Sequence, residues 1–137
     1  MVLCSGGFDP LHVGHLAYLH GASQYGHVAV ALNSDSWLKR KKGYAFMPWQ
    51  ERMEILNAIR YVQRVLKVAD DDGSVAEAIR RLRPEFFCNG GDRTTFHPLE
   101  HKACLEVGAR ELFWVGGRKI RSSSRLIAEA CRGMLRP

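Results

Sequence analysis

The sequence has no long apolar run, no Cys-x-x-Cys pair, no internal repeat and no low-complexity stretch. Each absence removes a class of protein. Nothing approaches the ~20 consecutive apolar residues that cross a bilayer, so no membrane span is expected. The first residues lack a basic stretch followed by a long apolar core; no secretory leader is expected, and the setting reads as cytoplasmic. Cys4, Cys88, Cys104 and Cys131 lie far apart. In such a setting they read as small buried apolar residues rather than as disulfides or a metal site. No Gly-, Ser- or Pro-rich linker interrupts the 137 residues, and that length suits one domain spanning residues 1–137. With 46% hydrophobic and 25% charged residues, disorder, collagen and coiled coil are disfavoured.

What the chain does have is positive charge. Twenty Lys and Arg stand against fourteen Asp and Glu, a formal excess of +6. An excess of this size serves solubility, and it also suits an anionic partner, with phosphate the obvious candidate.

Strand-like and helix-like segments alternate. Residues 1–4, 27–32, 61–68, 85–88 and 110–115 read as strands, and residues 11–24, 48–58, 74–82, 97–108 and 122–135 as helices. The basic run at residues 39–42 reads as a loop following the second strand. Short connections between alternating elements predict an α/β fold, a doubly wound and mostly parallel sheet with helices on both faces. Such sheets bind ligands beyond the carboxyl ends of their strands. There the first strand gives way to Ser5-Gly6-Gly7-Phe8-Asp9-Pro10-Leu11-His12-Val13-Gly14-His15. Glycines allow a phosphate to approach the backbone, and the following helix start offers unpaired N–H groups. His12 and His15, three residues apart, share one face of that first turn.

Residues 6–15 resemble the G-x-F-D-x-x-H-x-G-H signature of the HIGH-motif nucleotidyltransferase superfamily, and within it the cytidylyltransferase-like family. The fixed positions fall on Gly6, Phe8, Asp9, His12, Gly14 and His15, with Gly7 between the first two. Asn33-Ser34-Asp35, Lys39-Arg40-x-Lys42-Gly43 and Gly90-Gly91-Asp92 are similar to segments of heptose-1-phosphate adenylyltransferases. Gln50-Glu51-Arg52 fits both those enzymes and glycerol-3-phosphate cytidylyltransferases, and Arg60-Tyr61-Val62 resembles the start of a cytidylyltransferase motif. Arg121-Ser122-Ser123-Ser124 occupies the place of the family's I-S-T helix start. The chain also departs from both patterns. Gln63 and Arg64 replace acidic positions near which the relatives pair as homodimers, and Lys119 replaces an acid.

The resemblance implies a Rossmann-like nucleotidyltransferase that moves a nucleotidyl group from an NTP to a phosphorylated small molecule and releases pyrophosphate. It implies catalytic roles for His12, His15 and Lys42. Gly7, Phe8, Asp9, Gly14, Gly90, Asp92, Arg118, Ser122 and Ser123 are expected on the nucleotide, and Lys39, Lys41 and Arg52 on the acceptor. Mg²⁺ is expected to arrive on the triphosphate. Arg60-Tyr61-Val62 and the compact length tilt the reading slightly to CTP, whereas the heptose-enzyme elements favour ATP with a sugar phosphate. Two rivals belong to other classes. His97-Pro98-Leu99-Glu100-His101 spells the H-x-x-E-H of a zinc hydrolase. The basic C-terminal part, including Arg118, Lys119, Arg121, Arg125, Arg132 and Arg136, would suit a nucleic-acid-binding module, although it lacks interleaved aromatics.

Overall fold

In a computed structural model, which describes residues 1–91, 93 and 95–135, five parallel strands form one sheet in the order β3-β2-β1-β4-β5. The strands are β1 (Val2–Gly6), β2 (Val28–Leu32), β3 (Val62–Lys67), β4 (Phe86–Cys88) and β5 (Arg110–Leu112). Helices α1 (Val13–Ser23), α2 (Asp35–Lys42), α3 (Trp49–Asn57), α4 (Ala76–Leu82), α5 (Pro98–Val107) and α6 (Ser123–Met134) connect or follow them. None of the described helices is long and apolar enough to cross a membrane.

The alternation of side chains along each strand sorts the core into two layers. Val2, Cys4, Val28, Val30 and Leu32 pack with Leu19 of α1 and Leu56 of α3 on one face. Leu3, Ala29, Ala31 and Phe87 pack with Ile79 of α4 and Ala103 of α5 on the other. Burial on both faces explains why β2 reads as an unbroken apolar run, VAVAL, rather than an alternating one. The sheet is therefore doubly wound. The chain leaves β1 towards β2 and β3, then returns to place β4 on the other side of β1. That reversal makes the carboxyl ends of β1 and β4 the switch point, where a crevice opens.

Several boundaries differ from the sequence reading. Residues 39–42 are the last turn of α2 and not a loop. Ser34 caps that helix by accepting the Trp37 N–H, and Gly43 ends it in the left-handed region at φ 87°. Four cations in its last turn complement the helix dipole. β5 ends at Leu112, and two residues later Trp114 takes a positive φ of 60°. Helix α4 starts at Ala76 rather than at residue 74, and the amide of Val75 is capped from α5 by Glu100. Cys4, Cys88 and Cys104 are buried, but Cys131 is exposed on α6.

Candidate active site

The switch point carries a cleft of about 360 Å³, within the range of small-molecule sites. Its centre is the start of α1. His12 stands at the N-cap with extended backbone, and its Nδ1 accepts the Gly14 N–H at 3.1 Å. Nδ1 of His15 accepts the His12 N–H at 3.2 Å. Two imidazoles thus perform the reciprocal capping usually done by Ser or Thr with Glu or Gln. An accepting Nδ1 leaves the neutral ring's proton on Nε2, so each histidine is set in the tautomer that presents an Nε2–H donor. The rings stack at 3.8 Å between centroids, and Phe8 lies 4.8 Å from His15. Phe8 is buried with φ 50°, a strained conformation that fixes the turn between strand and helix. A Cβ on Gly14 would sit 2.9 Å from the His12 ring, and one on Gly7 would sit 2.7 Å from Leu38.

Cations converge on this pair from both flanks. Burial holds the His12 imidazole below its ordinary value, and the charges of Lys119, Lys42 and Arg121 push it further the same way. Lys42 is also lowered. Burial is the main cause, Asp9 opposes it, and Lys41, Lys119 and Arg52 add to it. Helix α2 brings Lys42 and Lys41 to the cleft, with the Lys41 ammonium 4.5 Å above the Trp37 ring. The start of α2 is pinned by Asp70, which accepts from Asn33 Nδ2, the Ser34 amide and Ser34 Oγ, while Arg40 donates to the Asp70 carbonyl.

The opposite flank comes from the segment before α6. Ser122 caps α6 by accepting the Arg125 N–H, and Ser123 Oγ donates to the Pro10 carbonyl at 2.7 Å. The second bond ties the N-terminus of α6 to the loop before α1. Glycines allow this flank to come close. A Cβ on Gly116 (φ 81°) would lie 2.6 Å from the Ala17 backbone, and one on Gly91 would collide with the Gly117 carbonyl. Arg118, Ser122 and Ser123 line the cleft from here, together with Gly90 after β4. Tyr18 forms part of its floor, donating to the Cys88 carbonyl at 2.6 Å and accepting the Ser5 N–H. Burial among Cys4 and Cys88 pushes its phenol well above the ordinary value.

Three residues expected on ligands are placed elsewhere. Asp9 is buried, and its two oxygens accept the amides of Phe46 and Met47 at 2.6 and 2.7 Å. It fastens the segment after α2 to the histidine loop and does not face the cleft. Arg52 is fully buried; its guanidinium donates to the carbonyls of Met47, Gly7 and Asn33 and to Asp35. A guanidinium so occupied does not reach an acceptor. Lys39 is exposed on α2 outside the cleft wall. Asp92 lies outside the described residues.

The sequence assigns no nucleotide or acceptor role to Arg93, Glu100 or Trp37, yet all three line the cleft. Glu100 also bears on the zinc reading, because both its oxygens are engaged, one by Arg93 and one by the Val75 amide. His101 pairs with Glu111 at 2.8 Å.

A model of the family described as cytidylyltransferase-like matches residues 3–129. The bifunctional protein HldE of Syntrophotalea carbinolica is 40% identical over 97 residues, 69% of this chain and 19% of that protein. HldE of Blochmanniella floridana is 34% identical over 113 residues, 80% of this chain and 23% of that protein. The chain thus spans about a fifth of the length of these relatives. A lipopolysaccharide core biosynthesis protein from Thermoplasma volcanium shares the fold, with a TM-score of 0.69 at 19% identity, covering 88% of this chain and 96% of the other. With the family's pattern matched from β1 into α6 and its histidine signature at the switch point, the chain belongs to the cytidylyltransferase-like family.

Proposed function

We propose that this domain transfers a nucleotidyl group from an NTP to the phosphate of a phosphorylated sugar, releasing pyrophosphate. The supporting observation is the stacked pair His12 and His15 at the α1 N-terminus, with Lys42, Lys119 and Arg121 close enough to depress the His12 proton affinity. An acceptor phosphate oxygen attacks the α-phosphorus, and the bond from that phosphorus to the α–β bridging oxygen breaks. The electron pair leaves with pyrophosphate. Bringing two polyanions together is the main obstacle, so catalysis is positioning and charge neutralisation. The Nε2–H groups of His12 and His15 donate to phosphate oxygens as charge develops, and the N-terminus of α6 adds backbone donors. Lys42 and Lys41 approach from the acceptor side and Arg118 from the triphosphate side. Mg²⁺ would be held by the oxygens of the triphosphate and would supply charge neutralisation there. In the cleft the described carboxylate of Glu100 is already engaged, which fits a metal held through phosphate oxygens.

For the nucleotide we favour ATP over CTP. The CTP reading rests on Arg60-Tyr61-Val62 and the compact length, but Arg60 and Tyr61 pair with each other at 3.1 Å on the surface, outside the cleft. Similarity to the HldE proteins, joined to the Asn33-Ser34-Asp35 and Gly90-Gly91 elements, supports adenylyl transfer to a sugar phosphate. The test is pyrophosphate release from ATP or CTP with Mg²⁺ and heptose 1-phosphate, glucose 1-phosphate or glycerol 3-phosphate, with the product identified by mass. Pyrophosphate in step with a nucleoside diphosphate sugar is expected. No product from any pair, together with salt-sensitive binding to nucleic acid, would favour the binding-module reading instead.

A further inference from the structure

After β4 the chain turns through Gly90 and Gly91, and the Arg93 amide donates back to the Gly90 carbonyl. The turn returns the Arg93 side chain to the cleft, where Nη1 donates to Glu100 Oε1 at 2.6 Å and to Asn89 Oδ1 at 3.0 Å. The Glu100 side chain is 5% exposed and that of Arg93 38% exposed. Glu100 Oε2 is spent on the Val75 amide at the head of α4. Asn89 is itself fastened, with its amide nitrogen donating to the Leu112 carbonyl.

This is a guanidinium held in one plane by two fixed acceptors, on the wall of the cleft. An exposed ion pair contributes little to stability, and a carboxylate as buried as Glu100 needs a charged partner. Neither point requires that partner to stand at the cleft wall. Both bonds to Arg93 use a single nitrogen, out of five N–H donors in the group. The arrangement is that of a preorganised hydrogen-bond donor.

Its place in the fold indicates what it would bind. The histidines and residues 116–124 belong to the α1 side of the sheet, where Gly116 abuts Ala17. Arg93, Glu100 and Val75 belong to the α4–α5 side, and Trp37 joins that wall through its Nε1–H bond to the Gly73 carbonyl. A triphosphate laid along the α1 and α6 N-termini leaves the α4–α5 side for the other substrate. Resting on the transferase reading above, we infer that Arg93 selects the acceptor by donating hydrogen bonds to the oxygen atoms of its sugar ring and hydroxyls. Glu100 is the positioning residue that holds Arg93 in plane.

The experiment compares wild type with Arg93→Met, Arg93→Lys and Glu100→Gln. It measures KM and kcat for heptose 1-phosphate and for glycerol 3-phosphate, which has no ring. Binding of a non-hydrolysable ATP analogue with Mg²⁺ is measured by calorimetry. Arg93→Met should raise the heptose 1-phosphate KM about 10- to 100-fold, leave the analogue's Kd within about twofold, and shrink the preference for the sugar phosphate over glycerol 3-phosphate. Arg93→Lys should fall between, having charge without the fixed fork. Glu100→Gln should shift the same KM, and its thermal unfolding is read alongside because it also loses charge at the Val75 cap. A raised analogue Kd with an unchanged acceptor KM would move Arg93 to the nucleotide and overturn the inference. So would a fall in melting temperature with neither constant changed. If wild type itself forms no product with any pair, the transferase reading falls and takes this assignment with it. If wild type turns over and Arg93→Met is indistinguishable from it, this assignment alone falls.

Discussion

Replacing Arg52 separates two roles that the sequence left confounded. A residue facing the acceptor could be changed with little effect on folding; a residue that clamps three segments could not. In the structure Arg52 has no exposed surface. Its Nε donates to Met47 O at 2.9 Å, Nη1 to Gly7 O at 2.8 Å and Asn33 O at 2.9 Å, and Nη2 to Asp35 Oδ1 at 2.6 Å. Arg52→Met keeps most of the volume and strands these acceptors. Asp35 is 38% exposed, so water can re-solvate it and its share of the loss is small. The carbonyls of Gly7 and Asn33 are not so placed, being beside a fully buried group. Losing a hydrogen bond from a charged donor costs roughly 1.5–3 kcal/mol, so these two carbonyls put the loss at roughly 3–6 kcal/mol. With an unfolding entropy of about 0.3 kcal/mol/K for a chain of this length, the melting temperature should fall by roughly 10–20 °C. Arg52→Lys keeps the charge but cannot serve four acceptors in fork geometry, and should fall between. Circular dichroism melts with matched urea titrations measure both variants. A melting temperature within about 2 °C of wild type, with a raised acceptor KM, would refute the clamp and restore the reading in which Arg52 faces the acceptor.

Other consequences follow from the same geometry. Gly116→Ala places a Cβ 2.6 Å from the Ala17 backbone at φ 81°, whereas Gly43→Ala at φ 87° meets nothing within 4 Å. The second should therefore cost only the left-handed penalty of about 1 kcal/mol, and the first clearly more, with weakened nucleotide binding; paired melts and calorimetry compare them. The His12 imidazole should titrate below about 6.5 in the ligand-free protein, because burial comes first and Lys119, Lys42 and Arg121 add to it. A folded value below the unfolded one means that His12 is neutral at pH 7 and that its contribution to stability is lost as pH falls through about 6.5 and below. A bound triphosphate offsets those cations, so the titration followed by NMR should move upward when ATP is added. A free-state value at or above 6.5 would contradict this. His15→Ala should lower turnover at least ~100-fold with the fold retained; undiminished activity would remove the histidines from the chemistry.

Much of the fold was legible because its signals are local. The apolar run VAVAL and the glycines after β1 marked buried parallel strands and the switch point. Helix α2 was missed because Lys39-Arg40-Lys41-Lys42 has no apolar period, and only Leu38 of its residues is buried. Its ends were nevertheless marked, by Ser34 before it and Gly43 after it. The shortened β5 was not visible, because nothing in the residue type of Trp114 announces its positive φ. The HIGH-type motif lies at the cleft, but a motif does not say which of its residues face that cleft. Asp9 and Arg52 are spent on backbone groups distant in sequence, at 37 and 45 residues' separation for Phe46 and Gly7. Such bonds leave no periodic trace. Arg93 carried no sequence signal, since its partner Glu100 sat inside a string that read as a zinc motif. Only the docking of α5 against the head of α4 shows that its carboxylate is a cap.

The central claim, a cleft at the switch point built for a nucleoside triphosphate, is tested most directly by thermal unfolding with ATP, CTP, GTP and UTP, each with Mg²⁺. A ligand at ~100 times its Kd adds about 2.7 kcal/mol, which for this chain is several degrees of melting temperature. A selective upward shift with ATP, absent in His15→Ala, is the expected result. No shift with any of the four nucleotides would contradict the account.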